Sequence, residues 1–374
     1  MPEGRVSKKG QSAATGSPIL TAHAGTALTP VFDLMRTKTA ALLAAPALVA
    51  GLVAWAFRSK PYALQADGCA TMTPAGRLRV ALARQFIKLS ISASVRRLGF
   101  PKLAMRRIEQ RVVPTAHGAA AITCYWPEAT GPLPVYINFH GGGFIIGFPK
   151  QDDRLCRYLA HHGPCIVINV DYTLAPKHPF PAAVLQCYEV VKWVHSHAQA
   201  LGYDVSRLAV GGHSAGGGIA AAIALLARER QEFSLALQLL DYPSLNLAEP
   251  SRQKHVLPDK KQALSVKDAA FFKYLYAPCP ADRHNPLASP LLAPAVAGLA
   301  PALIITAEND LLLSDGRAYA DKLHQQGVSV AYQEFKGVDH AFTHFGPKEP
   351  AQQAWNLMLT SLQSAFAVAA HKEN

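Results

Sequence analysis

Residues 208–218 read Leu-Ala-Val-Gly-Gly-His-Ser-Ala-Gly-Gly-Gly. An apolar run, Leu208-Ala209-Val210, feeds straight into Gly212-His213-Ser214-Ala215-Gly216, and an alanine-rich run of helical character follows. A serine inside G-x-S-x-G, with a strand before it and a helix after it, sits on a tight elbow that holds its hydroxyl clear of the sheet. Side chains two residues to either side of such a serine would clash, so both flanking positions call for glycine. Glycine and serine are common, and the pentapeptide alone also fits a glycine-rich turn of no chemical interest. The rest of the chain decides between the two.

Outward from this stretch, the sequence alternates strand-like and helix-like segments. Arg107–Val113 and Ala120–Tyr125 read as strands around an Ala116-His117-Gly118 turn, and Leu133–Phe139 and Cys165–Val170 as buried strands. Helical spacing covers 152–162 and 182–199. Strand 207–211, helix 215–230, strands 235–240 and 302–306, helix 314–326, strand 329–335 and helix 350–367 complete the pattern. Such alternation predicts an α/β fold, a mostly parallel central sheet covered by helices. The stretch 246–295, rich in Pro and Lys with one aromatic helical piece at Asp268–Tyr276, breaks the rhythm and reads as an insertion over the carboxyl ends of the strands.

Two further features fall where an open α/β sheet places its site, just past the carboxyl ends of strands. Leu133–Phe139 runs into His140-Gly141-Gly142-Gly143-Phe144, whose glycines leave backbone N–H groups uncovered. Two well-aimed N–H donors in a water-poor site each stabilise a developing oxyanion by roughly 3–4 kcal/mol. A phosphate-binding turn fits poorly, for neither G-x-G-x-x-G nor G-K-[ST] is present. Near the C-terminus, Leu303–Thr306 leads to Glu308, Asn309 and Asp310, and Val330–Phe335 leads to Asp339 and His340. The order Ser214, Asp310, His340 is that of a strand–elbow serine nucleophile with its acid and base. A neutral serine needs a base to take its proton; His340 is the candidate base, and Asp310 would hold its tautomer and stabilise the imidazolium. His344 is a rival base, and Asp315 and Glu308 are rival acids.

The chain resembles the hormone-sensitive lipase family of α/β-hydrolases. The resemblance rests on His140–Gly143, on Gly212–Gly217, on Asp310 with His340, and on Asp171-Tyr172-Thr173-Leu174-Ala175-Pro176-Lys177-His178-Pro179-Phe180-Pro181-Ala182. It spans about residues 106–345 and implies an α/β-hydrolase fold with a helical cap. It implies an oxyanion hole from the N–H groups of Gly142, Gly143 and Ala215, with His140 bracing that loop. It further implies a serine carboxylic-ester hydrolase, esterase or lipase, working through an acyl-enzyme without metal or organic cofactor on small uncharged esters of short to medium acyl chain. Four departures stand out. His213 occupies a position where Asp is more usual, Lys177 one of Glu, Leu311 one of Pro, and Ala341 one of Gly. The implied cap comprises helices in 68–105 and the insertion 246–295 within a catalytic part 106–374, and Phe86, Ile87, Phe271, Phe272 and Tyr274 are candidates to line an acyl pocket. Amide or lactone hydrolysis by the same residues, or a non-catalytic receptor like the plant gibberellin receptors, are the alternatives; the receptors lack a working histidine, and His340 is present here.

The formal net charge of +12 is uneven: residues 1–118 carry 17 Lys/Arg against 4 Asp/Glu, and the rest carry 20 against 21. A basic third can favour nucleic acid or anionic lipid; no nucleic-acid partner is expected, because an apolar segment lies in the same third. That segment, Thr39–Phe57, has 19 residues without a charge, eight of them Ala. It is long enough to span a bilayer, and it reads as a membrane anchor, an export signal or a buried helix. Residues 1–38 read as a disordered basic tail, and Leu78, Leu82, Phe86 and Leu89 as the stripe of a basic amphipathic helix. The expected location is membrane-associated or exported, with the cytoplasm as alternative. The six cysteines, Cys69, Cys124, Cys156, Cys165, Cys187 and Cys279, show no spacing suited to zinc and read as buried thiols, with disulfides possible on export.

Overall fold

The computed structural model describes residues 58–257 and 262–371, together with residues 52, 54–56 and 260. The tail 1–38 and all but four residues of the apolar segment 39–57 lie outside the described residues. Among the described residues, no helix is long and apolar enough to cross a membrane.

A short antiparallel pair comes first, β1 (Tyr62–Leu64) and β2 (Ala70–Met72). Helix α1 (Pro74–Leu98) follows, started by Thr73, whose hydroxyl accepts from the N–H of Gly76, and stopped by Gly99 in the left-handed region. The expected helices of 68–105 thus resolve into one helix preceded by a strand and a cap. Of its anticipated stripe, Leu78 and Leu82 are half-buried and Phe86 is 70% exposed, while Ala75 and Val80 are buried.

The eight-stranded sheet contains β3 (Arg107–Val113), β4 (Ala120–Trp126), β5 (Leu133–Phe139), β6 (Ile166–Asp171), β7 (Tyr203–His213), β8 (Leu237–Asp241), β9 (Ala302–Ala307) and β10 (Val330–Phe335). Their order is β10-β9-β8-β7-β5-β6-β4-β3; β4 pairs antiparallel with β3 and β6, and the other neighbours are parallel. The helices are α2 (Asp153–His162), α3 (Ala182–Ser196), α4 (Ala198–Leu201), α5 (Ala215–Arg230), α6 (Val266–Tyr276), α7 (Pro280–His284), α8 (Leu313–Gln325), α9 (Phe342–Phe345) and α10 (Lys348–His371).

All seven residues of β5 are buried, as a strand covered on both faces requires. Alternate residues feed two cores. Ile137, Phe139, Ile168 and Val210 join α3 and α5 on one face, while Tyr136, Val167, Ala209 and Leu303 join α2 and α10 on the other. From β5 the chain crosses to β6 on one side and then to β7 on the other, so the order reverses between β5 and β7. Open α/β sheets form a crevice at such a switch point, and here the loops leaving β5 and β7 carry the His140–Gly143 run and Ser214.

The cysteines divide. Cys69, just before β2, and Cys279, just after α6, are joined by a disulfide across 210 positions of sequence. Cys124, Cys156, Cys165 and Cys187 are buried thiols. The sequence leaves disulfides open without a pairing, and this one is set by a tertiary contact: the N–H of Ala70, next to Cys69, donates to the carbonyl of Pro278, next to Cys279, at 3.0 Å.

Candidate active site

β7 ends at His213, and Ser214 turns the chain into α5 with φ 55° and ψ −116°. This positive-φ conformation is costly for a residue with a Cβ, and the surroundings hold it. The Ser214 N–H donates to the carbonyl of Asp241, and the Ser214 carbonyl accepts from Gly218 and Ser244. The flanking glycines are demanded by one neighbour: a Cβ on Gly212 would lie 2.2 Å, and on Gly216 1.8 Å, from the carbonyl oxygen of Phe139 at the end of β5.

The Ser214 hydroxyl lies 2.9 Å from His340 Nε2, and His340 Nδ1 lies 2.7 Å from Asp310 Oδ2. Asp310 is 1% exposed, and its other oxygen accepts from the Leu312 N–H at 3.0 Å. A buried carboxylate so placed keeps a proton on Nδ1, which leaves Nε2 as an acceptor facing the hydroxyl. The three residues come from the ends of β7, β9 and β10, and the fold brings them together.

The rivals are engaged elsewhere. His344 Nε2 bonds Asp152 at 3.0 Å, and its Nδ1 lies 3.0 Å from both the Tyr242 and Thr343 hydroxyls. Asp315 binds Lys254 Nζ at 2.5 and 2.7 Å and accepts from the Asn246 N–H, fastening the insertion to α8. Glu308 accepts from the Gly337 N–H on the surface.

The β5 loop is fixed at Gly141. Its N–H donates to His213 Nε2 at 3.0 Å, and its carbonyl is met by His140 Nδ1 at 2.9 Å and Gln151 Nε2 at 3.3 Å. His140 stacks on Tyr172, whose hydroxyl donates to the His140 carbonyl at 2.6 Å. Burial pushes His140 below the ordinary histidine range, so it serves as a neutral brace. Gly142 (φ 118°) and Gly143 (φ 60°) are both left-handed, and a Cβ on Gly143 would lie 2.4 Å from the Phe272 ring. Ala215, first residue of α5, has an N–H with no intrahelical acceptor, at the helix end where negative charge is favoured.

Gly142, Gly143, Ser214, Ala215 and His340 all line one cavity of about 460 Å³. Phe86, Ile87, Phe271 and Phe272 supply apolar wall, as expected. Tyr274 does not reach it; its ring packs on Tyr62 at 4.6 Å.

His213 is where the sequence reading was incomplete. It bridges the serine elbow to the β5 loop and stacks on His344 at 4.0 Å. Beneath both rings lies Asp152, fully buried and bonded to Asn138 at 2.7 Å. Burial alone would raise its pKa, but His213, the His344 hydrogen bond and His140 together draw it below the usual carboxylate range. His213 itself is pushed well below the histidine range by burial, against the pull of Asp152. Among the described residues, the group with a donor set for a metal is Asp152, His213 and His344.

A family model described as alpha/beta hydrolase fold matches residues 136–344. The chain is 37% identical over 252 residues to Esterase LipI of Mycobacterium tuberculosis, covering 66% of this chain and 78% of that one. It is 36% identical over 241 residues to an ethyl acetate hydrolase of Pseudomonas putida, covering 63% and 74%. An esterase structure from Pyrobaculum calidifontis superposes with TM-score 0.71 at 36% identity, covering 76% of this chain and 92% of that one. Eight mostly parallel strands, the glycine elbow and these likenesses converge: the chain belongs to the hormone-sensitive lipase family of α/β-hydrolases and is a carboxylic ester hydrolase.

Proposed function

We propose that Ser214 is the nucleophile, His340 the general base and acid, and Asp310 the residue that orients His340. The observation that carries this is the unbroken chain Ser214 Oγ–His340 Nε2–His340 Nδ1–Asp310 Oδ2, at 2.9 and 2.7 Å, opening into an apolar cavity. As Ser214 Oγ attacks the ester carbonyl, His340 Nε2 takes its proton. The carbonyl oxygen gains charge beside the N–H groups of Gly142, Gly143 and Ala215. His340 then protonates the departing alkoxide, leaving an acyl-serine. Water repeats the sequence with His340 as base and releases the acid.

The substrate class is small, uncharged esters with short to medium acyl chains. The cavity wall supports this, being largely apolar and closed on the Gly143 side by Phe272. The test is hydrolysis of p-nitrophenyl esters from acetate to palmitate, with Ser214→Ala as blank. Serine-dependent turnover peaking at short or medium chains is expected; a peak at palmitate overturns the substrate class, and turnover that survives in Ser214→Ala overturns the nucleophile.

We also propose that this part of the chain works in an oxidising compartment, reached through the apolar segment 39–57. The Cys69–Cys279 disulfide supports it, since such bonds persist chiefly outside the cytosol. Thiol alkylation of protein taken directly from cells is expected to leave these two cysteines unlabelled until a reductant is added.

A further inference from the structure

Behind the oxyanion loop, three donor side chains from distant parts of the sequence converge. Asp152 precedes α2, His213 ends β7, and His344 lies in α9. Their ligand atoms all fall within 4.8 Å of one another, and all three residues are buried. His344 Nε2 is 3.0 Å from Asp152 Oδ1, while His213 Nδ1 is 3.8 Å from Asp152 Oδ2. The His213 Nδ1 atom is enclosed and has no hydrogen-bond partner. A buried polar atom left this way carries a free-energy cost that a metal ion would relieve.

We propose that Asp152, His213 and His344 form a binding site for a divalent transition metal of the zinc type, and that its occupancy switches hydrolysis off through Gly141. Two imidazoles and one carboxylate match the ligand preference of zinc, with the fourth position left for water. Donors about 2.0–2.2 Å from one ion must lie roughly 3.3–3.6 Å apart in a tetrahedral set, so the group, whose ligand atoms lie within 4.8 Å of one another, must contract by up to about 1.5 Å along its widest edge. An entry path exists, because His213 and His344 both line the cavity that holds Ser214. Outer partners exist as well: with the metal on Nε2, the His344 proton moves to Nδ1 and donates to the Tyr242 or Thr343 hydroxyl, each 3.0 Å away.

The coupling to hydrolysis follows from counting protons on His213. In the metal-free enzyme the Gly141 N–H donates to His213 Nε2, so the neutral ring carries its proton on Nδ1. A metal takes Nδ1, and a ring that stays neutral then carries the proton on Nε2. Two N–H groups now face each other at Gly141, and the bond is lost. Gly141 immediately precedes Gly142 and Gly143, so the loop loses its N–H anchor where the oxyanion is to be held and keeps only the carbonyl contacts to His140 and Gln151. The metal acts as an inhibitor and takes no part in the ester chemistry.

The activity arm of the test rests on the oxyanion reading proposed above; the binding arm does not. Full-length protein freed of metal with a chelator is dialysed against Zn2+, and bound metal and p-nitrophenyl butyrate hydrolysis are measured on the same samples. Co2+ in place of Zn2+ reports coordination by its visible absorption. One metal per chain, a four-coordinate Co2+ spectrum and a loss of about 10–100-fold in kcat, reversed by chelator, are expected. His344→Gln and His213→Asn should each lose the bound metal and give equal rates with and without Zn2+. Failure of the unaltered chain to bind metal, or binding and inhibition that persist in both variants, overturns the site. Stoichiometric binding abolished by both variants but without effect on kcat keeps the site and overturns its coupling to the oxyanion loop.

Discussion

Two aspartate–histidine pairs stand close together, and they are built alike. Asp310–His340 and Asp152–His344 are spaced at 2.7 and 3.0 Å, both carboxylates are buried, and the two histidines are four positions apart in the same segment. The second ring nitrogen separates them. In His340 it faces the Ser214 hydroxyl across an apolar cavity; in His344 it faces Tyr242 and Thr343 hydroxyls in the interior. The pair itself therefore does not define a catalytic residue. What defines it is whether the far nitrogen meets a group that can attack substrate.

The strongest way to break this comparison is to remove the reacting side chains and then to exchange the carboxylates for amides. Ser214→Ala and His340→Ala should each reduce ester hydrolysis by about 10⁴–10⁶, and the double variant should be little worse, because the residues act as a unit. Asp310→Asn should cost about 10³–10⁴ in kcat by favouring the wrong tautomer. Asp152→Asn and Asp315→Asn should lower kcat by less than about tenfold while reducing stability by about 1–3 kcal/mol, since each leaves a buried partner short of its acceptor. Steady-state kinetics on folded protein checks the ranking. Equal losses in Asp310→Asn and Asp152→Asn would erase the distinction between the pairs, and a larger loss in Asp315→Asn would move the orienting acid.

A second measurement sharpens the contrast through pH. The inner pair belongs to a network: the Thr343 hydroxyl lies 3.0 Å from His344 and donates to Asp241 Oδ2 at 2.8 Å, while Asp241 Oδ1 has no partner. Burial raises the Asp241 carboxyl to about 7, against the lowering effect of its Thr343 bond and of His344. An acid whose pKa is raised on folding binds protons more tightly in the native state. Its contribution is therefore fully present below the unfolded value of about 3.9 and is lost as pH rises through about 7. Asp241→Asn should unfold at higher urea than the parent at pH 8, by on the order of 1–4 kcal/mol, and this advantage should vanish near pH 4. A constant difference across that range would show that the Asp241 pKa is not shifted by folding. The outer pair should register in the rate, and the inner network in stability.

Much of this was legible in the sequence, for reasons that differ by residue. β5 could be read to the residue because a strand covered on both faces is largely apolar, and only Asn138 interrupts the run. Ser214, Asp310 and His340 could be picked out as candidates because each follows, within a few residues, a strand with a recognisable pattern. The pair β1 and β2 could not, since three residues carry too little alternation to register. Nor could Asp152, His213 and His344 be assembled as a group: they lie on three elements brought together by the sheet order, and no short spacing links them. His213 stands out in the sequence as a departure from the family pattern, but its bond to Gly141 depends on how far the β5 loop folds back over the elbow. That distance is tertiary, and no local pattern encodes it.

The smallest expected effect concerns the residue that joins the two histidines. Ala341 has φ 66°, and its carbonyl accepts from the N–H groups of His344 and Phe345. The family resemblance sets glycine at this position, and the backbone angle gives the reason, because a Cβ in the left-handed region costs about 1–2 kcal/mol. Glycine would remove that strain but add freedom to the unfolded chain, worth about 0.5–1 kcal/mol against it. Ala341→Gly should therefore stabilise the protein by about 0.5–1 kcal/mol in urea unfolding, with kcat changed by less than about threefold. A large fall in kcat at unchanged or higher stability would carry a different meaning. It would show that the strained turn holds His340 toward Ser214 while His344 faces inward, so that one alanine keeps two similar pairs in different roles.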